Sequence, residues 1–260
     1  MDSFMQLHFQ SYGEGFPLVI LHGLFGSLEN WQTLSRQWSQ NYQVLAVDLR
    51  NHGRSPHSEV FNYEVMVEDL RELLAAQKLE RVHLLGHSLG GKVAMHFALG
   101  HPQAVEKLIV ADIAPKKYPP IQLPLIEAML ALDLGLYRER SELGEALKTS
   151  IPNATVRQFL LKNITRDEAG ALVWKINLRS IQQNYRQLNE ELSTGRAFNG
   201  PVRFIRGGRS DYITEADRDL ILRLFPQAEI ETIEEAGHWV QAEAPEKFSR
   251  LVLDFLGSVQ

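Results

Sequence analysis

Short apolar segments alternate with helical patterns along most of this 260-residue chain. Segments near residues 5–11, 18–22, 42–48, 81–86, 106–112, 201–206 and 229–233 each hold one strand's worth of β-prone residues. Between most of them, apolar residues recur at helical spacing, over 28–39, 63–78, 88–100, 214–224 and 245–256. Such alternation predicts an α/β fold: a mostly parallel sheet flanked by helices on both faces. In a sheet of that kind ligands bind at the carboxyl ends of the strands. Ser88, Asp112, Asp211 and His238 all follow predicted strands on that edge.

The alternation breaks between residues 115 and 197. That interval opens on Ala114-Pro115 and Tyr118-Pro119-Pro120, then shows helical patterns over 123–136 and 173–188 and no convincing strand. It reads as a helical cap inserted between two strands, with 1–114 and 198–260 as the core and 115–197 as the cap. The cap carries 12 Lys and Arg against 9 Asp and Glu, whereas the rest of the chain has 15 against 23. A basic lid over an acidic body favours a substrate with an anionic tail, although ordinary scatter among solvated helix faces gives the same count.

The formal charge of −5 argues against a general nucleic-acid binder. No Cys is present, so disulfides and thiolate metal sites are excluded. Met1 to Gln6 has neither the basic region nor the apolar stretch of a signal peptide, and no apolar run approaches the ~20 residues of a membrane span. A cytoplasmic protein is the expectation, with its oligomeric state open.

The chemistry concentrates at Gly86-His87-Ser88-Leu89-Gly90-Gly91. An apolar strand pattern (Arg81 to Leu85) runs into it and a helical pattern (Lys92 to Leu99) runs out. A strand, a one-residue reversal carrying Ser and then a helix form a nucleophile elbow. The flanking glycines admit a turn in which a Cβ would collide with strand or helix, and the helix N-terminus favours negative charge at the hydroxyl. Leu18 to Leu21 likewise runs into His22-Gly23-Leu24-Phe25-Gly26-Ser27, a loop able to turn an amide inward. Acyl transfer needs two such donors, and Leu24 N–H and Leu89 N–H are the expected oxyanion hole. An alternating strand, Glu229 to Ile233, then leads to a loop presenting His238, which follows Ser88 in the order Ser, acid, His. Asp112 and Asp211 both lie between them, each after a strand, and either suits the acid. Asp48, Arg50 and His52 precede the serine and read as a hydrogen-bonded structural turn.

These segments together resemble the α/β-hydrolase superfamily over nearly the whole chain. HGLFGS at 22–27, DLRNHGRSPHS at 48–58, GHSLGGKVAM at 86–95, DIAP at 112–115 and GHW at 237–239 are similar, more narrowly, to YbfF-type esterases and their abhydrolase relatives. The resemblance implies an α/β-hydrolase fold and a carboxylesterase or thioesterase acting on a small-molecule ester or thioester, with no cofactor and no metal. Superfamily precedent places the acid after the later strand, at Asp211, whereas the DIAP motif of the narrower group favours Asp112. Phe25, Trp174, Tyr185, Leu188 and Trp239 are candidate substrate contacts, although Trp174, Tyr185 and Leu188 equally suit the cap's own core. C–C bond hydrolases, cofactor-free haloperoxidases, lyases and weakly catalytic ligand sensors are built on the same fold.

Overall fold

The computed structural model describes residues 5–193 and 195–257. The termini of the expected core, 1–4 and 258–260, and Thr194 of the expected cap lie outside them. Among the described residues nine strands form: β1 (Phe9–Tyr12), β2 (Phe16–Leu21), β3 (Tyr42–Val47), β4 (Val82–His87), β5 (Val105–Ala111), β6 (Ile164–Arg166), β7 (Leu172–Trp174), β8 (Val202–Gly207) and β9 (Ala228–Ile233). Ten α-helices join them: α1 (Gln32–Trp38), α2 (Tyr63–Ala76), α3 (Leu89–Gly100), α4 (Leu123–Leu130), α5 (Arg140–Ala146), α6 (Ala154–Leu161), α7 (Leu178–Leu188), α8 (Arg218–Leu224), α9 (Val240–Glu243) and α10 (Pro245–Gly257).

Seven strands make one sheet in the order β1-β3-β2-β4-β5-β8-β9. Only β1 runs antiparallel, against β3; the other pairs are parallel. Period-2 alternation along each strand divides the core between the two faces. Leu18 and Ile20 of β2 join Trp31, Trp38 and α10 residues Phe248 and Val252 on one side. Val19 and Leu21 join Met66 and Leu70 of α2 and Val93 and Phe97 of α3 on the other. Strand β4, central and covered on both faces, is buried along its whole length.

Strand order positions the site. From β2 the chain moves outward to β3 and from β4 it moves the opposite way to β5, while β2 and β4 are paired neighbours. The loops leaving β2 and β4 therefore diverge and open a crevice at the carboxyl edge of the sheet, the usual ligand position in open α/β sheets.

Between β5 and β8 stand α4 to α7 together with the β6–β7 hairpin, where sequence periodicity predicts helices alone. Each hairpin strand spans three residues, too few for alternation to register. Gly170 takes φ of 83°, and the Asp167 side chain accepts from Ala171 N–H at 2.8 Å, which closes the turn. Trp174 consequently ends a strand instead of starting a helix. No helix among the described residues is long and apolar enough to cross a membrane.

Candidate active site

Ser88 sits between β4 and α3 with φ of 51° and ψ of −116°. A side chain at Gly86 would place Cβ 2.2 Å from Gly90 O, and one at Gly90 would lie 2.5 Å from Leu21 O. Only glycines let helix, strand and neighbouring loop close to this distance. Five non-glycine residues among those described take positive φ, and three of them are Phe25, Ser88 and Asp112. Backbone strain thus gathers where the loops after β2, β4 and β5 meet, as it does at functional sites.

Asp112 is fully buried, and its carboxylate accepts three hydrogen bonds. Oδ1 accepts from Gly207 N–H at 2.9 Å; Oδ2 accepts from the Ser210 hydroxyl at 2.5 Å and from His238 Nδ1 at 2.8 Å. A carboxylate on Nδ1 selects the tautomer that leaves Nε2 free to accept a proton. Asp211, the other candidate, is exposed and has no hydrogen bond to His238. Its neighbour Ser210 turns inward to the carboxylate in its stead. Sequence order leaves the two aspartates equivalent; the tight turn that aims Asp112 along the sheet edge separates them.

His238 is held on other sides as well. Its carbonyl accepts from His87 Nε2 at 2.9 Å, and the two imidazoles lie 4.8 Å apart. Burial drives His87 down to about 3, with His238 adding to the effect, so His87 is a neutral spacer. The ring of Tyr212 stacks on His238 at 3.7 Å. Ser88 Oγ has no hydrogen-bond partner among the described residues. Hydrogen bonds of this kind are often long in ligand-free sites and tighten around substrate.

Leu24 and Leu89 line one open cleft with Ser88. Leu89 opens α3, where the first amides have no intrahelical acceptor, and Leu24 N–H has no acceptor among the described residues. The loop carrying Leu24 is fixed behind its face. Phe25 N–H donates to His52 Nε2 at 3.3 Å, and Phe25 O accepts from Asn163 Nδ2 at 2.8 Å.

The Asp48–His52 turn is structural. Asp48 accepts from Leu28 N–H at 2.7 Å and Arg54 N–H at 2.9 Å, and Arg50 pairs bidentately with buried Asp69 at 2.5 and 2.6 Å. Burial lowers His22 to about 4 and His52 to about 3, so both are neutral brackets for the loop.

Of the expected substrate contacts, Tyr185 and Leu188 line the cleft. Phe25, Trp174 and Trp239 do not: Phe25 is buried in the core, Trp174 lies in the hairpin, and Trp239 packs on Phe159 at 5.4 Å. Tyr212 and Lys92 are among the lining residues that escape sequence reasoning. Tyr212 reaches its place through a loop. Lys92, whose charge on an otherwise apolar helix was a visible signal, is buried and donates to Lys116 O at 2.9 Å and Glu190 O at 2.6 Å. Those carbonyls stand near the start and the end of the segment between β5 and β8. Among the described residues no group of three or more His, Asp and Glu is arranged to hold a metal ion.

Comparison with known proteins agrees with this fold. Residues 17–245 match the family model described as the alpha/beta hydrolase fold. The chain is 37% identical to sn-1-specific diacylglycerol lipase ABHD11 of Danio rerio, over 95% of this chain and 80% of that one. It is 34% identical to esterase YbfF of Escherichia coli K12, over 95% of each. A solved marine microorganism esterase superposes with a TM-score of 0.94 at 43% identity, covering 96% of this chain and 99% of the other.

Proposed function

The chain belongs to the α/β-hydrolase family, and on that footing we propose that it is a serine carboxylesterase or thioesterase working through an acyl-enzyme. His238 Nε2 takes the Ser88 proton as Oγ attacks the ester or thioester carbonyl carbon. Asp112 holds the imidazole in the required tautomer and faces the positive charge that develops on it. Leu24 N–H and Leu89 N–H receive the tetrahedral oxyanion; losing one donor of this type costs about 10²–10³ in kcat. The imidazolium protonates the departing alcohol or thiol. Water, deprotonated by His238, then attacks the acyl carbon and frees Ser88.

The observation carrying this reading is the 2.8 Å bond that buried Asp112 accepts from His238, just past the strand beside the strained Ser88 turn. The names of the relatives support ester substrates without distinguishing oxygen from sulfur leaving groups. The cap's excess of cations, 12 against 9, favours an anionic tail, in which case rising salt lowers kcat/KM for charged substrates and spares neutral ones.

The test is a panel of acyl esters and acyl thioesters on wild type, Ser88→Ala, Asp112→Asn and Asp211→Asn, with fluorophosphonate labelling of each. Ser88→Ala abolishes labelling, Asp112→Asn lowers kcat by about 10³–10⁴, and Asp211→Asn stays near wild type. Labelling that survives Ser88→Ala, or an Asp112→Asn enzyme within tenfold of wild type, overturns the assignment.

A further inference from the structure

We propose that Tyr212 is a positioning residue for this reaction, its ring serving as a platform that fixes the plane of the His238 imidazole and shields the charge formed there. The proposal rests on the Ser88–His238 reading above and adds to it a group outside the nucleophile, base and acid.

The ring centroids lie 3.7 Å apart with an interplanar angle of 17°, a near-parallel stack over the imidazole face. Asp112 fixes the Nδ1 edge. An edge contact alone leaves the ring free to rock about the hydrogen bond; a face contact removes that freedom. The aromatic face also carries the negative lobe of the ring quadrupole. It therefore attracts imidazolium more than neutral imidazole, and the attraction is greatest where water is excluded. Proton transfer from Ser88 creates that cation, so the contact strengthens on the way to the transition state.

The platform is itself braced. Tyr212 O accepts from the Tyr118 hydroxyl at 2.5 Å, and that hydroxyl in turn accepts from Ala114 N–H at 2.8 Å. The Tyr118 ring lies 5.3 Å from the Tyr212 ring, and the Tyr212 hydroxyl accepts from Gln122 Nε2 at 3.4 Å. Burial pushes the phenol up to about 12, so it is neutral throughout the working range. The titratable side chains in printed contact with His238 among the described residues are then Asp112, neutral His87 and this phenol, and Tyr212 meets the imidazole with its ring, not its hydroxyl.

Steady-state kinetics on an acyl ester, with thermal melting in parallel, compare wild type, Tyr212→Phe and Tyr212→Leu. The leucine variant loses about tenfold in kcat, the equivalent of one desolvated ring–cation contact, with KM changed less than threefold. The phenylalanine variant, which keeps the ring, restores kcat to within about threefold. Leucine activity within twofold of wild type overturns the proposal. Equal losses in both variants also overturn it, since the hydroxyl and not the ring then matters. A loss confined to KM assigns Tyr212 to substrate contact and refutes the positioning role. Fluorophosphonate labelling separates the two layers: failure to label Ser88 in wild type sinks the underlying mechanism, whereas labelling with unchanged leucine kinetics sinks this inference alone.

Discussion

Raising the pH from 7 to 9.5 is expected to add stability through Lys92. Its ammonium is buried beside the Tyr63 and Tyr118 rings, with two backbone carbonyls and no carboxylate in contact. Burial pulls its pKa from 10.5 down to about 7, against a weaker upward pull from Glu190 and Glu191. Between pH 7 and 10.5 the unfolded chain therefore binds a proton that the folded chain has released. Stability contributed through Lys92 rises with pH across that window. Integrating from pH 7 to 9.5, short of tyrosine ionisation, gives a gain of about 3 kcal/mol. With a urea m-value of about 3 kcal/mol/M for a chain this long, the midpoint moves up by about 1 M. The Lys92→Met variant lacks the titration but also leaves the Lys116 and Glu190 carbonyls unpaired, a fixed cost of about 1–3 kcal/mol each. The informative quantity is thus the wild-type minus Lys92→Met difference, followed by urea unfolding at half-unit steps of pH. A difference that is flat from pH 7 to 9.5 refutes the claim that this ammonium is desolvated.

Two further outcomes follow from packing. Asp69→Asn strands the buried Arg50 guanidinium without its counter-charge and lowers unfolding free energy by about 3–5 kcal/mol in urea; a loss under 1 kcal/mol means that the pair is solvated. Gly86→Ala brings Cβ to 2.2 Å from Gly90 O, so the elbow opens, with kcat at least 100-fold lower and stability down by about 1–3 kcal/mol. Wild-type kcat in that variant contradicts the close approach.

The sheet was legible because its strands are buried on both faces and read as apolar runs, as in Leu18 to Leu21 and Val82 to Leu85. The elbow and the late histidine were legible because chain order and glycine spacing are one-dimensional facts. What the chain does not write along its length is how loops fold back. Asp112 and Asp211 look alike until one turns with φ of 47° toward His238 and the other faces solvent. Tyr212 meets His238 across 26 residues, through a ring contact that no periodicity encodes. The β6–β7 hairpin is too short to announce itself, and with it goes Trp174, an aromatic whose helical spacing held no information about the cleft.

Ser88 N–H donates to Ala111 O at 3.1 Å, and Asp112 is the next residue along. The proposed nucleophile and acid therefore ride on one rung of the same backbone ladder, and their separation is as rigid as the sheet itself. Adjustment is left to the stretch that delivers the imidazole. Engineering of reactivity by small steps belongs in residues 234–239, whereas alterations to the β4–β5 rung shift both anchors at once and act as an on–off change.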